Sequence, residues 1–174
     1  MPSSSRPASP SRAGRAAIRR IARVGVAICT LAWAVVPAAA EEWVVVVSAD
    51  VPATNVSLDH LRRMFLFRER YWKPGLPVTV ILSGDDLDAG SFVLQKIYRM
   101  DYAALRRMIF ERLYQQEIEL PPKVVASDDI AVEIVASGRG LISIVRTTSL
   151  RGGDLHVLSV DGVHPGGEGY ALRR

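Results

Sequence analysis

The chain has 174 residues, with 22 lysines and arginines, 18 aspartates and glutamates and one cysteine. Six arginines lie in the first 40 residues, where there is no acid, so the overall positive charge belongs to that segment. The rest holds 16 basic and 18 acidic residues, which leaves no compositional case for nucleic-acid binding. The cysteine, Cys29, also lies in that segment, so residues 41–174 have no disulfide, no thiolate nucleophile and no cysteine metal site.

The first 40 residues read as an export signal. Arg6, Arg12, Arg15, Arg19, Arg20 and Arg23 precede the apolar run "VGVAICTLAWAVV", which ends in Pro37 and three alanines suited to cleavage after Ala40. The apolar run is short against the ~20 residues a spanning helix needs. The expectation is a periplasmic protein with no membrane span after cleavage, and one domain over 41–174, long enough to bury its own core.

In chain order, "EWVVVVSA" (42–49) is a β-branched run without alternation, as a strand buried on both faces requires. "DVPATNV" is a turn-rich connection. Ser57 is placed to cap a helix over 58–67 that carries Leu58, Leu61, Met64 and Phe65 on one face. "RERYWKPGLP" breaks the pattern, and 78–82 is a second strand. A helix is expected over 91–100, with Phe92, Leu94 and Ile97 inward. Another, capped by Asp101, is expected over 102–117, with Leu105, Met108, Ile109 and Leu113 continuing to Ile118 as its stripe. "KVVAS" is a short strand, Ser127 caps a helix over 128–137, and Gly138 is expected to end it in left-handed geometry. Strands follow over 140–146 and 155–162, before a loop-like tail. Strands alternating with helices predict an α/β domain with a mainly parallel sheet flanked by helices.

Four stretches together resemble the phosphate-binding proteins of ABC transporters: "VSLDHLRRMFLFRERYW", "PVTVILSGDD", "VASDDIAVEIVASGRGLISIV" and "VLSVDGVHPGGEGYALRR". Their order and spacing agree over nearly all of 44–174. The resemblance implies one lobe of a periplasmic-binding-protein-like fold and a non-enzymatic role, with a small oxyanion such as phosphate held for a transporter or sensor. The alternative is an interaction module that kept the fold and lost the ligand. Two departures bear on this choice. The family encloses its ligand between two lobes, and this chain has material for about one. Ser83 or Gly84 also stands where the family's loop has an arginine, and "DLDAGS" replaces its Ser-Gly-Thr.

The loop "SGDDLDAGSF" (83–92) is therefore the candidate site, with Ser83, Asp85, Gly90 and Ser91 as candidate ligand contacts. A helix start offers N–H donors to an anion, while Asp85, Asp86 and Asp88 oppose one. The structural alternative makes Asp88 the helix cap and leaves Asp85 and Asp86 in solvent. The calcium-loop spacing and its distal glutamate are missing, and no metal or cofactor is expected. Ser159, Asp161, His156 and His164 can be written as a catalytic triad, but no nucleophile-elbow turn accompanies them. Trp72 is expected to anchor a turn, and Arg62, Arg63, Arg68, Arg70, Arg106 and Arg107 to lie on solvated faces.

Overall fold

The computed structural model describes residues 41–88, 90–118, 120–151 and 155–174. The expected export signal, 1–40, lies outside the described residues. Six strands form one sheet in the order β2-β8-β1-β7-β5-β6. They are β1 (Trp43–Val47), β2 (Asn55–Val56), β5 (Thr79–Ser83), β6 (Lys123–Val125), β7 (Leu141–Arg146) and β8 (His156–Val160). The hairpin of β3 (Tyr71–Lys73) and β4 (Leu76–Pro77) stands apart. The pairs β2·β8, β5·β7 and β5·β6 are parallel. Only β1 runs against its neighbours, pairing antiparallel with both β7 and β8. The sheet is thus mainly parallel, as the alternation of elements predicts.

All five residues of β1 are buried, and their side chains divide between two cores. Trp43, Val45 and Val47 face a core shared with Val80, Leu82, Ile142, Ile144 and Leu158. This layer is closed by α1 (Leu58–Phe65), by the π-helical turn Leu94–Tyr98 and by Leu105 of α2 (Tyr102–Tyr114). Val44 and Val46 face the other way, against Ile81, Val145 and the Ala131, Val132 and Val135 stripe of α3 (Asp128–Ser137). A central strand sandwiched by helices must be apolar at every position, which is why "WVVVV" lacks alternation.

The helix starts follow their capping residues. Ser57 Oγ accepts from His60 N (3.1 Å), Asp101 Oδ1 from Ala104 N (2.7 Å) and Ser127 Oγ from Ile130 N (3.5 Å). The expected helix 91–100 is different. Its cap is Ser91, whose Oγ accepts from Leu94 N (3.4 Å), whereas Asp88 is exposed and offers only its backbone carbonyl, to Ser91 N (3.0 Å). The turn widens to π geometry and stops at Arg99, which is left-handed at φ 56°. Arg62 is not on a solvated face. Its Nε and Nη2 donate to Lys96 O (3.1 and 2.9 Å), tying α1 to this turn.

The two ends of the domain meet. Trp43 N donates to Leu172 O and Arg174 N to Glu41 O, both at 2.9 Å. Arg173 Nη2 pairs with Glu42 Oε2 (2.6 Å), and Glu42 Oε1 accepts from Gly166 N (2.7 Å).

Gly138 does not end α3 in left-handed geometry. Its backbone is extended, and Leu141 packs over it, so that a Cβ would lie 2.1 Å from Leu141 Cδ1 and that side chain would have to move. The left-handed residue is Gly140, at φ 64°. A Cβ there would sit 2.2 Å from the Pro77 carbonyl. The Gly140 carbonyl accepts from Trp72 Nε1 (3.1 Å) and from Thr79 N (3.0 Å), so Trp72 does anchor this corner. Gly140→Ala is expected to cost about 2 kcal/mol or more, combining backbone strain with overpacking. Gly75→Ala, with φ 80° but open space around it, should cost about 1 kcal/mol from strain alone. Urea denaturation of the two variants checks this, and equal losses would remove the steric argument.

Candidate functional site

The parallel strands β5, β6 and β7 all deliver their carboxyl ends to one end of the sheet, where open α/β sheets place ligands. Ser83 ends β5 opposite Val125 of β6, and β6 leads through Ala126 to the Ser127 cap of α3. Arg146 ends β7 directly opposite Trp43, the first residue of β1. Gly84 lets the following 3-10 turn press against this corner. A Cβ there would lie 2.9 Å from the Ala126 carbonyl.

Two carboxylates, Asp85 and Asp128, pair with one guanidinium in the corner, and a third, Asp86, lies near it. Asp128, 1% exposed, accepts at Oδ2 from both the backbone N and the Nε of Arg146 (3.1 Å each). Asp85 Oδ2 pairs with Arg146 Nη2 (3.1 Å) and accepts from Asp128 N (3.4 Å), the first backbone N–H of α3. Asp86, 4% exposed, accepts at Oδ1 from Trp43 Nε1 (3.4 Å), and the indole stacks on Phe92 with centroids 4.2 Å apart. Asp86 Oδ2 and Asp128 Oδ1 are buried without a hydrogen-bond partner among the described residues. Hydrogen bonding to Asp128, helped by the Asp85 and Asp86 charges, raises the Arg146 pKa above its ordinary value, so the guanidinium stays charged. Burial, reinforced by the charge of Asp128, pushes the Asp86 carboxyl up to about 7.

Ser83 and Asp85 come together here, since Ser83 Oγ accepts from Asp85 N (3.3 Å). Gly90 and Ser91 serve other elements. Ser91 gives its N–H to the Asp88 carbonyl and its hydroxyl oxygen to Leu94 N of the π-turn, and Gly90 lines a shallow hollow with Leu94, Gln95, Arg99 and Met100. Among the described residues, no hydrogen bond joins either one to Ser83 or Asp85. Asp86 is not solvated, because the 3-10 turn carries it beneath Trp43. Arg146 and Asp128 escaped the sequence reading. The available signal was a charged residue at the carboxyl end of an apolar strand, "ISIVR", and an acid directly after a helix cap, "SD".

The guanidinium in this corner comes from β7, and the Asp85 carboxylate is its partner from the 83–92 loop. The start of α1 is occupied in the same way, with Asp161 Oδ1 accepting from Leu58 N (3.0 Å). Among the described residues, no hydrogen bond joins Asp161 to His156 or His164. Ser159 Oγ lies 2.9 Å from His164 Nδ1, while His156 is at the opposite end of β8, facing Val47. Among the described residues, no group of three or more His, Cys, Asp or Glu side chains is arranged to hold a metal.

The raised pKa of Asp86 has a defined sign. Between about 4, its unfolded value, and about 7, its folded value, the native state holds a proton that the unfolded chain has released. Asp86 therefore makes stability fall as pH rises through that window. Asp86→Asn keeps an acceptor for Trp43 and removes the titration. Its melting temperature at pH 8 should exceed that of the parent by about 3 °C or more, with the two curves converging toward pH 4. Parallel melting curves across this range would contradict the assignment.

No family model and no curated protein sequence matches the chain significantly. Solved structures do match. One is a provisionally named phosphate ABC transporter substrate-binding protein of Clostridium perfringens with bound phosphate, at TM-score 0.54 and 13% identity over 72% of this chain and 47% of that one. Another is PstS of Borrelia burgdorferi, at TM-score 0.55 and 18% identity over 78% of this chain and 55% of that one. The chain spans about half the length of these structures. The likeness is one of fold: α/β, one lobe of a periplasmic-binding-protein-like structure, with a mainly parallel sheet flanked by helices.

Proposed function

We propose that this chain is a periplasmic, non-enzymatic protein with one lobe of a solute-binding fold, which acts by contact with another protein, such as a transporter or sensor component, rather than by enclosing a solute. In this reading residues 1–40 are a removed export signal and 41–174 a single domain. The observation that carries it is the Asp85 carboxylate, lying between Arg146 and the first N–H of α3. Those are the groups an oxyanion would use. A carboxylate tethered two residues from the end of β5 competes at a high effective concentration that a free anion must overcome.

The second reading is weak capture of phosphate or another small oxyanion through Ser83 and the Asp85 loop. It is favoured by the neighbour solved with bound phosphate. Calorimetric titration with millimolar phosphate at neutral pH separates the two. The parent protein is expected to give no saturable heat, and one-site binding would restore the oxyanion reading. Asp85→Ser is expected to gain a phosphate-dependent rise in melting temperature that the parent lacks. If neither protein responds, the Arg146 corner is not an anion site, and Asp85 is only an ion-pair partner.

A further inference from the structure

The outer face of α2 is unusual for a solvated helix. Positions 103, 106, 107, 110 and 114 fall within one quarter to one third of the helix circumference at 3.6 residues per turn, and all are exposed. They place Phe110 (61% exposed) and Tyr114 (91% exposed) between Arg106 and Arg107. The Arg106 guanidinium lies 6.0 Å from the centre of the Phe110 ring. Tyr71 and Leu120, also largely exposed, share a groove with Ile118, just beyond the end of α2, and with Arg70 and Glu69, the latter paired to His60 and Arg63. Arg106 and Arg107 make no ion pair among the described residues, and neither does Arg70 at the groove. This basic, aromatic surface sits on a chain that is net acidic beyond residue 40.

We infer that the α2 face and the adjoining groove form a docking surface for an acidic amphipathic segment of a partner protein. The inference rests on the contact reading proposed above. Charge complementarity selects the occupant. Carboxylates flanking apolar side chains would pair with Arg106 and Arg107 while the apolar residues cover Phe110 and Tyr114 and enter the groove beside Tyr71 and Leu120. Aromatic and arginine side chains are the types that carry most interface energy. A second copy using the same face would bring four arginines, Arg106 and Arg107 from each copy, into one interface, a concentration of like charge that opposes a two-fold dimer. A flat lipid surface would leave the groove unfilled and bring Glu111, at the margin of the face, toward the headgroups.

The test is an amide-resolved NMR titration of the protein with a short helical peptide carrying leucine and phenylalanine on one face flanked by glutamates. A counterpart with lysine for each glutamate is the control. The acidic peptide is expected to shift the amides of α2 and of Tyr71 and Leu120. Its affinity should fall about tenfold in Phe110→Ala/Tyr114→Ala and again in Arg106→Glu/Arg107→Glu, with melting temperatures unchanged, and it should weaken with added salt. The lysine peptide should not bind. Absence of binding, equal binding of both peptides, or affinity unaffected by the substitutions would overturn the assignment. Shifts confined to another surface would overturn it while leaving the contact reading standing. Phe110-dependent binding to phosphatidylglycerol vesicles without peptide binding, or a dimer through this face in light scattering, would replace the partner segment with a membrane or a second copy.

Discussion

Trp43 to Val47 are shielded from solvent on both faces, and the strand they form sends side chains into both cores from the middle of the sheet. Five large apolar side chains each contribute roughly 1.5–3 kcal/mol on full burial, and no other segment serves both cores so completely. The direction of β1 has a further effect. Running against β7, it brings Trp43 to the carboxyl end of that strand, beside Arg146. The indole that seals one core therefore also roofs the charged corner and supplies the hydrogen bond that Asp86 receives.

The corner works against hydrophobic economy. Burying carboxylates is costly unless each finds partners, and one guanidinium cannot satisfy three. Asp128 is held by two Arg146 donors and Asp85 by Arg146 and a helix N–H, while Asp86, buried and beside the charge of Asp128, has its pKa pushed up to about 7. The carboxyl ends of β5, β6 and β7 are thus tied together by the chain's own charged side chains.

Much of the architecture was legible because its signals are local. Ser57, Asp101 and Ser127 announce their helices by side-chain chemistry within three residues, and the continuous apolar run of β1 states burial on both faces. The small hairpin and β2 were not read as strands, since two or three residues carry no periodicity. The π-turn was read as an ordinary helix, because a single wide turn leaves the apolar spacing of Leu94 and Ile97 almost unchanged. Asp161-Gly162, flanked by valines, is a strong reversal signal. It was absorbed into strand and tail, although both residues have positive φ and the valines bond across the turn. Of the candidate site, Ser83 and Asp85 could be named from the loop, but Arg146 and Asp128 lie 61 and 43 residues beyond Asp85 in sequence. Only the parallel register of β5, β6 and β7 brings them together.

The joined ends of the domain bear on how it would respond to load. Glu41 and Glu42 lie antiparallel to Arg173 and Arg174, so the chain enters at Glu41 and reaches Arg174 at the same edge of the described region. Tension applied between them would open the Glu41, Glu42 and Trp43 contacts one after another, in the zipper direction, before it reached the strand pairs of the sheet. A fold tethered by both ends would thus yield first at its seam. Fused through a short linker across that seam and opened elsewhere, the same chain could be rewired without stretching any strand.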